Sequence, residues 1–280
     1  MRTLFLALLL FGVCCATAED SIPSSNGFPR ENGQPTRKLV ASGIMAGMIG
    51  TSVVWAVDAW WQGRAHPFNF NNEGWFNDYS LGIDKVGHTY SSYFYFHTFH
   101  NVMLWGGFEP DAAFWWGAGI TEFLALSLEI GDGFSTFGFS YEDLTANTVG
   151  LAYGMLQTRV PFLQNFSLKW SYVPAGKRDG LNFTQHYDAH TYWLSVNIHE
   201  LLPSQWAEYW PRFVQLAAGY SIDGSRREGV IGLDFNLEVF PAPSPELLLV
   251  QKTLNMFHVP APAVKFTEGK EPQYYFFHLN

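Results

Sequence analysis

After Cys15 the chain contains no cysteine. Cys14 and Cys15 both fall inside a stretch that reads as a secretory signal. Arg2 gives a short basic start, Leu4 to Val13 an apolar run, and Ala16-Thr17-Ala18 a small-residue cleavage site. A chain cut after Ala18 has no thiol for a disulfide, a zinc-thiolate site or a nucleophile, which excludes cysteine and redox chemistry. Charge is scarce too: 15% of the 280 residues are Asp, Glu, Lys or Arg, against ~25% in a soluble domain. Aromatics reach 18%, and this balance points toward lipid. The net charge of -9 and the absence of any Lys/Arg cluster exclude a nucleic-acid partner. Also missing are GxGxxG followed by an acidic residue, a P-loop and HExxH, so nucleotide and zincin readings have no support.

What is present falls into four parts: a signal peptide (1–18), a flexible tether (19–38), an apolar helical bundle (39–162) and a β-rich region (163–280). Ser21 to Thr36 is rich in Ser, Pro, Gly and Asn without periodicity. Leu39 to Val57 carries no charge and is long enough for a bilayer-spanning helix, with Gly43-xxx-Gly47 for close helix contact. An ordinary tight core helix would show the same small residues. Val86 to Phe108 lacks Asp, Glu, Lys and Arg but holds three histidines, and Ala112 to Ile130 is interrupted only by Glu122 and Glu129. A fourth stretch starts at Ser140-Tyr-Glu-Asp143, a capping-box pattern, and runs to about Val160 before Pro161.

Four full spans conflict with the positive-inside tendency. Arg30, Arg37, Lys38, Arg159 and Lys169 would lie outside, while the inner loops near 62–83 and 131–139 hold only Arg64. A bundle partly embedded on the outer side of a membrane stays open. Beyond residue 165 the period becomes two. Ile231, Leu233, Phe235, Leu237 and Val239 alternate with Gly232, Asp234, Asn236 and Glu238, the pattern of a half-buried antiparallel strand. Tyr192 to Val196, Phe213 to Ala217 and Tyr274 to Leu279 are further strands, and Asp223-Gly224 marks a hairpin turn. The tail from Pro241 to Pro262 is broken by prolines. The expected class is α+β: a membrane-associated bundle of about four helices followed by a small antiparallel β-rich C-terminal part.

Ionisable groups inside apolar helices are costly and are usually retained for a reason. Asp84 and His88 are four apart on one helical face, with Lys85 beside them; Glu122 and Glu129 are seven apart, and Asp132 follows; Asp143, Asn147, Gly150 and Gly154 share a face. If these faces converge, they supply carboxylates, an imidazole, an amine and an amide for acid–base work or a hard metal ion. The competing reading is structural: Asp84 caps its helix, Asp143 completes a capping box, and the glycines permit close packing. His97 and His100 lie roughly opposite Asp84 on the wheel and stand outside the site. His186-Tyr-Asp188-Ala-His190 would place two imidazoles and a carboxylate on one side of a strand, a weak metal signal, with a solvated turn as the simpler reading.

Trp60-Trp61-Gln-Gly63, Asp84-Lys85-Val-Gly-His88, Glu129-Ile-Gly-Asp132 and Phe139-Ser140-Tyr-Glu-Asp143 with Asn147 and Gly150 resemble the YfiM-like group of predicted periplasmic lipoproteins. VanZ-like membrane proteins are more distantly similar. The resemblance covers about residues 55–155 and implies an envelope location and a compact helical bundle, without an established reaction. This chain departs from it in two ways. Val13, not a small residue, precedes Cys14, so the lipoprotein signal is a poor match, and about 120 further residues follow the shared region. The expected site is Asp84, Lys85, His88, Glu129, Asp132, Asp143 and Asn147. His88 or Glu129 would be the acid–base group, Lys85 an anion contact, the carboxylates metal ligands, and the substrate an envelope lipid or glycan. Neither metal nor cofactor is specified by the sequence. A scaffold reading has the same groups lock the helices while the β-rich region binds an envelope protein at an exposed strand edge. Ion handling through the bundle is a third reading.

Overall fold

The computed structural model describes residues 27–28, 35–61, 65–72, 74–173 and 186–278. The signal peptide and most of the expected tether lie outside them. Helix α1 spans Pro35–Ala56 and runs into a π-helical turn at Val57–Trp61. It begins inside the stretch read as tether because Pro35 has its φ already set for a first helical turn. Three more helices follow: α2 (Ile83–Trp105), α3 (Pro110–Gly133) and α4 (Tyr141–Arg159). Pro110 opens α3 after extended Glu109, and α4 stops at Val160, before Pro161.

Helix α2 is the axis of the bundle, with Phe96 and Phe99 fully buried. Phe99, Val102 and Met103 pack against Ala41 and Met45 of α1, while Phe96 meets Phe114 and Ala118 of α3 and Leu151 of α4. The outer faces are apolar as well: Leu39 and Val54 on α1, and Trp115, Trp116 and Phe123 on α3, are exposed. Among the described residues one helix, Pro35–Ala59 including the start of the π-turn, is long and apolar enough to cross a membrane.

Two short strands, β1 (Phe70–Asn71) and β2 (Phe139–Ser140), pair in parallel beside the bundle. The rest forms an antiparallel meander in the order β3 (Phe166–Tyr172), β4 (His190–Val196), β5 (Val214–Asp223), β6 (Arg226–Phe235), β7 (Ala261–Thr267) and β8 (Gln273–His278). Short helices α5 (Ile198–Leu201) and α6 (Ser204–Ala207) join β4 to β5, and α7 (Pro245–Leu254) precedes β7. The class is α+β. The β5–β6 hairpin turns at Gly224, whose φ of 60° suits glycine. Two elements run against the proline-rich reading of the tail. Pro245 takes the first turn of α7 behind Ser244, whose hydroxyl accepts from the Leu247 N–H, and β7 accommodates Pro262. β6 ends at Phe235, and Leu237–Val239 is a 3-10 turn rather than more strand.

The sheet is sharply curled. Strands β3 and β6 are three spacings apart, about 14 Å in a flat sheet, yet Lys169 Nζ lies 2.8 Å from Asp234 Oδ2 and donates to the Phe235 carbonyl at 2.7 Å. Trp193 on β4 and His278 on β8, four spacings apart, bring their rings within 5.7 Å. The period-two pattern of β6 holds, but its faces are reversed from the usual soluble strand: Glu228, Val230, Gly232 and Asp234 point into the curl, while Ile231 is 60% exposed.

Candidate acid-base site

The site assembles where the start of α2 meets the start of α4. Gly82 makes the turn into α2 with φ 84°, and a Cβ there would sit 2.5 Å from the Phe76 ring and 2.8 Å from the Trp75 carbonyl. The first turn of α2 then presents Asp84 and Lys85, with His88 one turn on. Asp84 does not cap α2; that position is Gly82. At α4 the Ser140 hydroxyl accepts from the Asp143 N–H at 3.1 Å. This is half of the capping box, because the Asp143 carboxylate turns away to meet Lys85. Gly150 lets the helices close: a Cβ there would overlap the Thr89 carbonyl of α2.

Lys85 Nζ lies 2.6 Å from Asp143 Oδ1 and 2.9 Å from Asp84 Oδ2, with its side chain 3% exposed. His88 Nε2 stands 3.7 Å from Asp84 Oδ1 and from Asp143 Oδ1, and at 29% exposure it is the member of this quartet nearest to solvent. Its Nδ1 faces the Asn147 amide at 3.2 Å, and Ser92 donates to the other end of that amide at 3.0 Å. With Asn147 Nδ2 toward the ring, Nδ1 accepts and the imidazole is neutral. A doubly protonated ring selects the reversed amide, Oδ1 accepting from Nδ1–H and Nδ2 donating to Ser92. Buried Glu129 accepts from the Ser140 N–H at 3.3 Å. Asp132 is engaged by the Trp61 indole at 2.7 Å rather than by the quartet. Tyr187 donates to Asp84 Oδ1 at 2.9 Å.

The charges are mutually tuned. Burial disfavours the His88 cation, but the carboxylates of Asp143, Asp84 and Glu129 outweigh it and raise the imidazole to about 9. Burial raises Glu129 to about 8, with His88 opposing and Asp143 and Asp132 adding to the rise. Burial also lifts Asp132 to about 6 against the Trp61 hydrogen bond. For Asp84, burial is overcome by His88 and Lys85, and its carboxyl falls below the usual value. These shifts favour a protonated imidazole and a protonated Glu129 at neutral pH, beside ionised Asp84.

His88 and Glu129 both bind their protons more tightly folded than unfolded. Their stabilising contribution is complete below the unfolded values of 6.5 and 4.5, and is lost as pH rises through about 9 and about 8. Buried His97 and His100, whose values are lowered, add stability as pH rises to about 6.5, so thermal stability is expected to fall above that, between pH 7 and 9, by on the order of 2–4 kcal/mol. Melts of the wild type and of Glu129→Gln across that range check this; the substitution should flatten the part of the decline below pH 8. A wild-type melting temperature that is constant or rising over the range contradicts it.

Of the seven residues expected from sequence, Asp84, Lys85, His88, Asp143 and Asn147 meet directly. Glu129 joins through Ser140, and Asp132 lies at the edge, on Trp61. Glu122 lies elsewhere and accepts from Thr148. His97 and His100 are lowered to about 3 and about 4, chiefly by burial among aromatic rings such as Phe96, and take no part. Trp61, Ser92 and Tyr187 were not singled out as contacts. Tyr187 is about a hundred residues away in the chain, and no local pattern marks it. For His186-Tyr-Asp188-Ala-His190 the simpler reading as a turn is the one observed, not the strand alternation. Residues 187–189 form a 3-10 turn, and buried His190 accepts from the Trp170 indole at 2.9 Å while stacking between Trp170 and Tyr192. Among the described residues, the group with metal-ligand spacing is Asp84, His88 and Asp143, whose ligand atoms lie within 4.8 Å of one another. Their chemistry suits a hard divalent cation, but the Lys85 ammonium already sits against both carboxylates and supplies the positive charge there.

No curated protein and no solved structure matches the chain. Residues 72–159, which run from the approach to α2 to the end of α4 and contain every residue expected of the site, match the family described as Predicted periplasmic lipoprotein (DUF2279), whose members are thereby placed in the cell envelope.

Proposed function

We propose that this is an exported, membrane-associated envelope protein whose quartet of Asp84, Lys85, His88 and Asp143, backed by Glu129 and Asn147, is an acid–base centre acting on an envelope lipid or glycan. The observation that carries the reading is the placement of His88. It is the most exposed member of the quartet, and two carboxylates 3.7 Å away favour its protonated form. In this reading His88 is the general acid, Asp84 and Asp143 tune it, and Lys85 pairs with those two carboxylates in a buried setting. Glu129 is a reserve proton donor behind it.

A second reading has an observation of its own. Two cavities next to the bundle, one lined by Met45, Ile49, Met103 and Trp116 and the other by Val86, Tyr90, Tyr192 and Tyr220, are lined by no member of the quartet. A quartet that serves only to lock α2 to α4 needs no entrance. His88→Gln separates the two readings, because glutamine keeps hydrogen bonding but cannot deliver the proton. Lipids and glycans of the envelope are compared by mass spectrometry in the wild type, a strain lacking the protein, and the H88Q strain, alongside the melting temperature of purified H88Q. The acid–base reading expects H88Q to fold and to reproduce the deletion profile. A folded H88Q with the wild-type profile overturns it in favour of the lock.

A further inference from the structure

We propose that the convex outer face of β5 to β8 is a lipid-contacting surface, covered in the envelope by acyl chains of a bilayer. The first observation is the reversal of polarity. A strand in a soluble sheet turns its apolar side to the core, whereas a strand in a lipid-facing barrel turns it outward and fills the interior with polar groups. Here the concave side buries Lys169, Ser195, Gln215, Glu228, Asp234 and Lys265. Gln215 apart, these groups satisfy one another across the curl, beside a small apolar cluster of Trp193, Ala217, Val230 and Ala263: Lys169 with Asp234, Ser195 with Asp234 at 2.6 Å, and Lys265 and Thr267 with Glu228 at 3.0 and 2.7 Å.

The convex side is the complement. Paired positions Leu216 with Leu233, Ala218 with Ile231, Gly229 with Phe266, and Val264 with Tyr274 form a continuous face without a charged residue. Ile231, Tyr274 and Phe276 are 60%, 81% and 77% exposed.

The second observation is where the outward charges and aromatics stop. At the hairpin end Asp223, Arg226, Arg227, Glu268 and Lys270 gather, and Lys270 pairs with Asp223 at 2.6 Å. At the other end of β5 and β6, Trp206, Tyr209 and Phe240 are exposed. Charge at both ends, since exposed Arg212 and Glu200 lie beside those aromatics, with an uncharged band between is the distribution that a hydrocarbon layer and its interfaces select. Strands β5 and β6 are ten residues each, in the range of ~9–11 residues that matches the hydrocarbon thickness, while β7 and β8, at seven and six, reach only part of it. A docking patch for a protein would require an apolar exterior but not a polar interior; lipid accounts for both. The proposal is independent of the acid–base reading and assigns a membrane role to the β-rich region.

The test is photocrosslinking in intact cells, with benzoylphenylalanine replacing Ile231, Tyr274 or Phe276 one at a time in the full-length chain, and Lys270 as the rim control. Adducts are identified by mass spectrometry. The proposal expects phospholipid adducts at the three face positions and none at Lys270. Adducts to another protein or to a second copy at those positions overturn it, as does the absence of any lipid adduct there. Tyr274 and Phe276 replace an aromatic ring with an aromatic ring at exposed positions, so the test stands even if the Ile231 variant misfolds.

Discussion

Replacing Lys85 with methionine should destabilise the protein by about 3–5 kcal/mol, because it leaves two carboxylates in a buried setting with only His88, 3.7 Å away, to offset them. Lys85 is 3% exposed and touches both Asp84 and Asp143, so the loss is not that of a surface ion pair, typically worth about 0–1 kcal/mol. The double variant Lys85→Met, Asp143→Asn removes one stranded charge and should recover part of the loss; urea unfolding of both singles and the double gives the coupling. The same variant exposes the latent metal geometry. With the ammonium gone, Asp84, His88 and Asp143 keep ligand atoms within 4.8 Å of one another. Added Zn²⁺ or Mn²⁺ should then raise the melting temperature of Lys85→Met while leaving the wild type almost unmoved. A Lys85→Met protein as stable as the wild type would mean that the carboxylates do not depend on that amine.

Gly150→Ala should cost about 3 kcal/mol, at the upper end for overpacking. The added methyl would collide with the Thr89 backbone carbonyl, and neither helix can yield by rotating a side chain. Separating α2 from α4 also withdraws Asp143 and Asn147 from Lys85 and His88, so the His88 pKa should drop toward its ordinary value. Gly154→Ala on the same face is the control. Its Cβ would come within 2.9 Å of the Phe96 ring, a longer approach than at Gly150 and to a side chain rather than a backbone carbonyl, and it should cost less. Equal losses in the two variants would remove the claim that close approach at Gly150 sets the site.

The helical half and its site were legible in the sequence because helical spacing is local information. Asp84 and His88, and then Asp143, Asn147 and Gly150, declare one face each, and the small residues say where those faces meet. Trp61 and Tyr187 were not legible as contacts, since which aromatic lands on Asp132 or Asp84 depends on packing across long stretches of chain. The strands at β4, β5, β6 and β8 followed from period two, but period alone does not say which face is buried. Polarity would have assigned Ile231 inward, and the curl that joins Lys169 to Asp234 reverses that. β7 and α7 were hidden by Pro241 to Pro262, where proline opens a helix at 245 and is tolerated in a strand at 262.

The central claim is that α2 and α4 hold a proton on His88 at neutral pH. It is tested most directly by following the His88 ring by isotope-edited NMR through a pH titration of the full chain in detergent or vesicles, with His88→Gln to assign the signal. An imidazole that stays protonated through pH 7 and titrates near 9 is the predicted result. An imidazole that loses its proton below pH 7 would contradict it and remove His88 as the acid of the site.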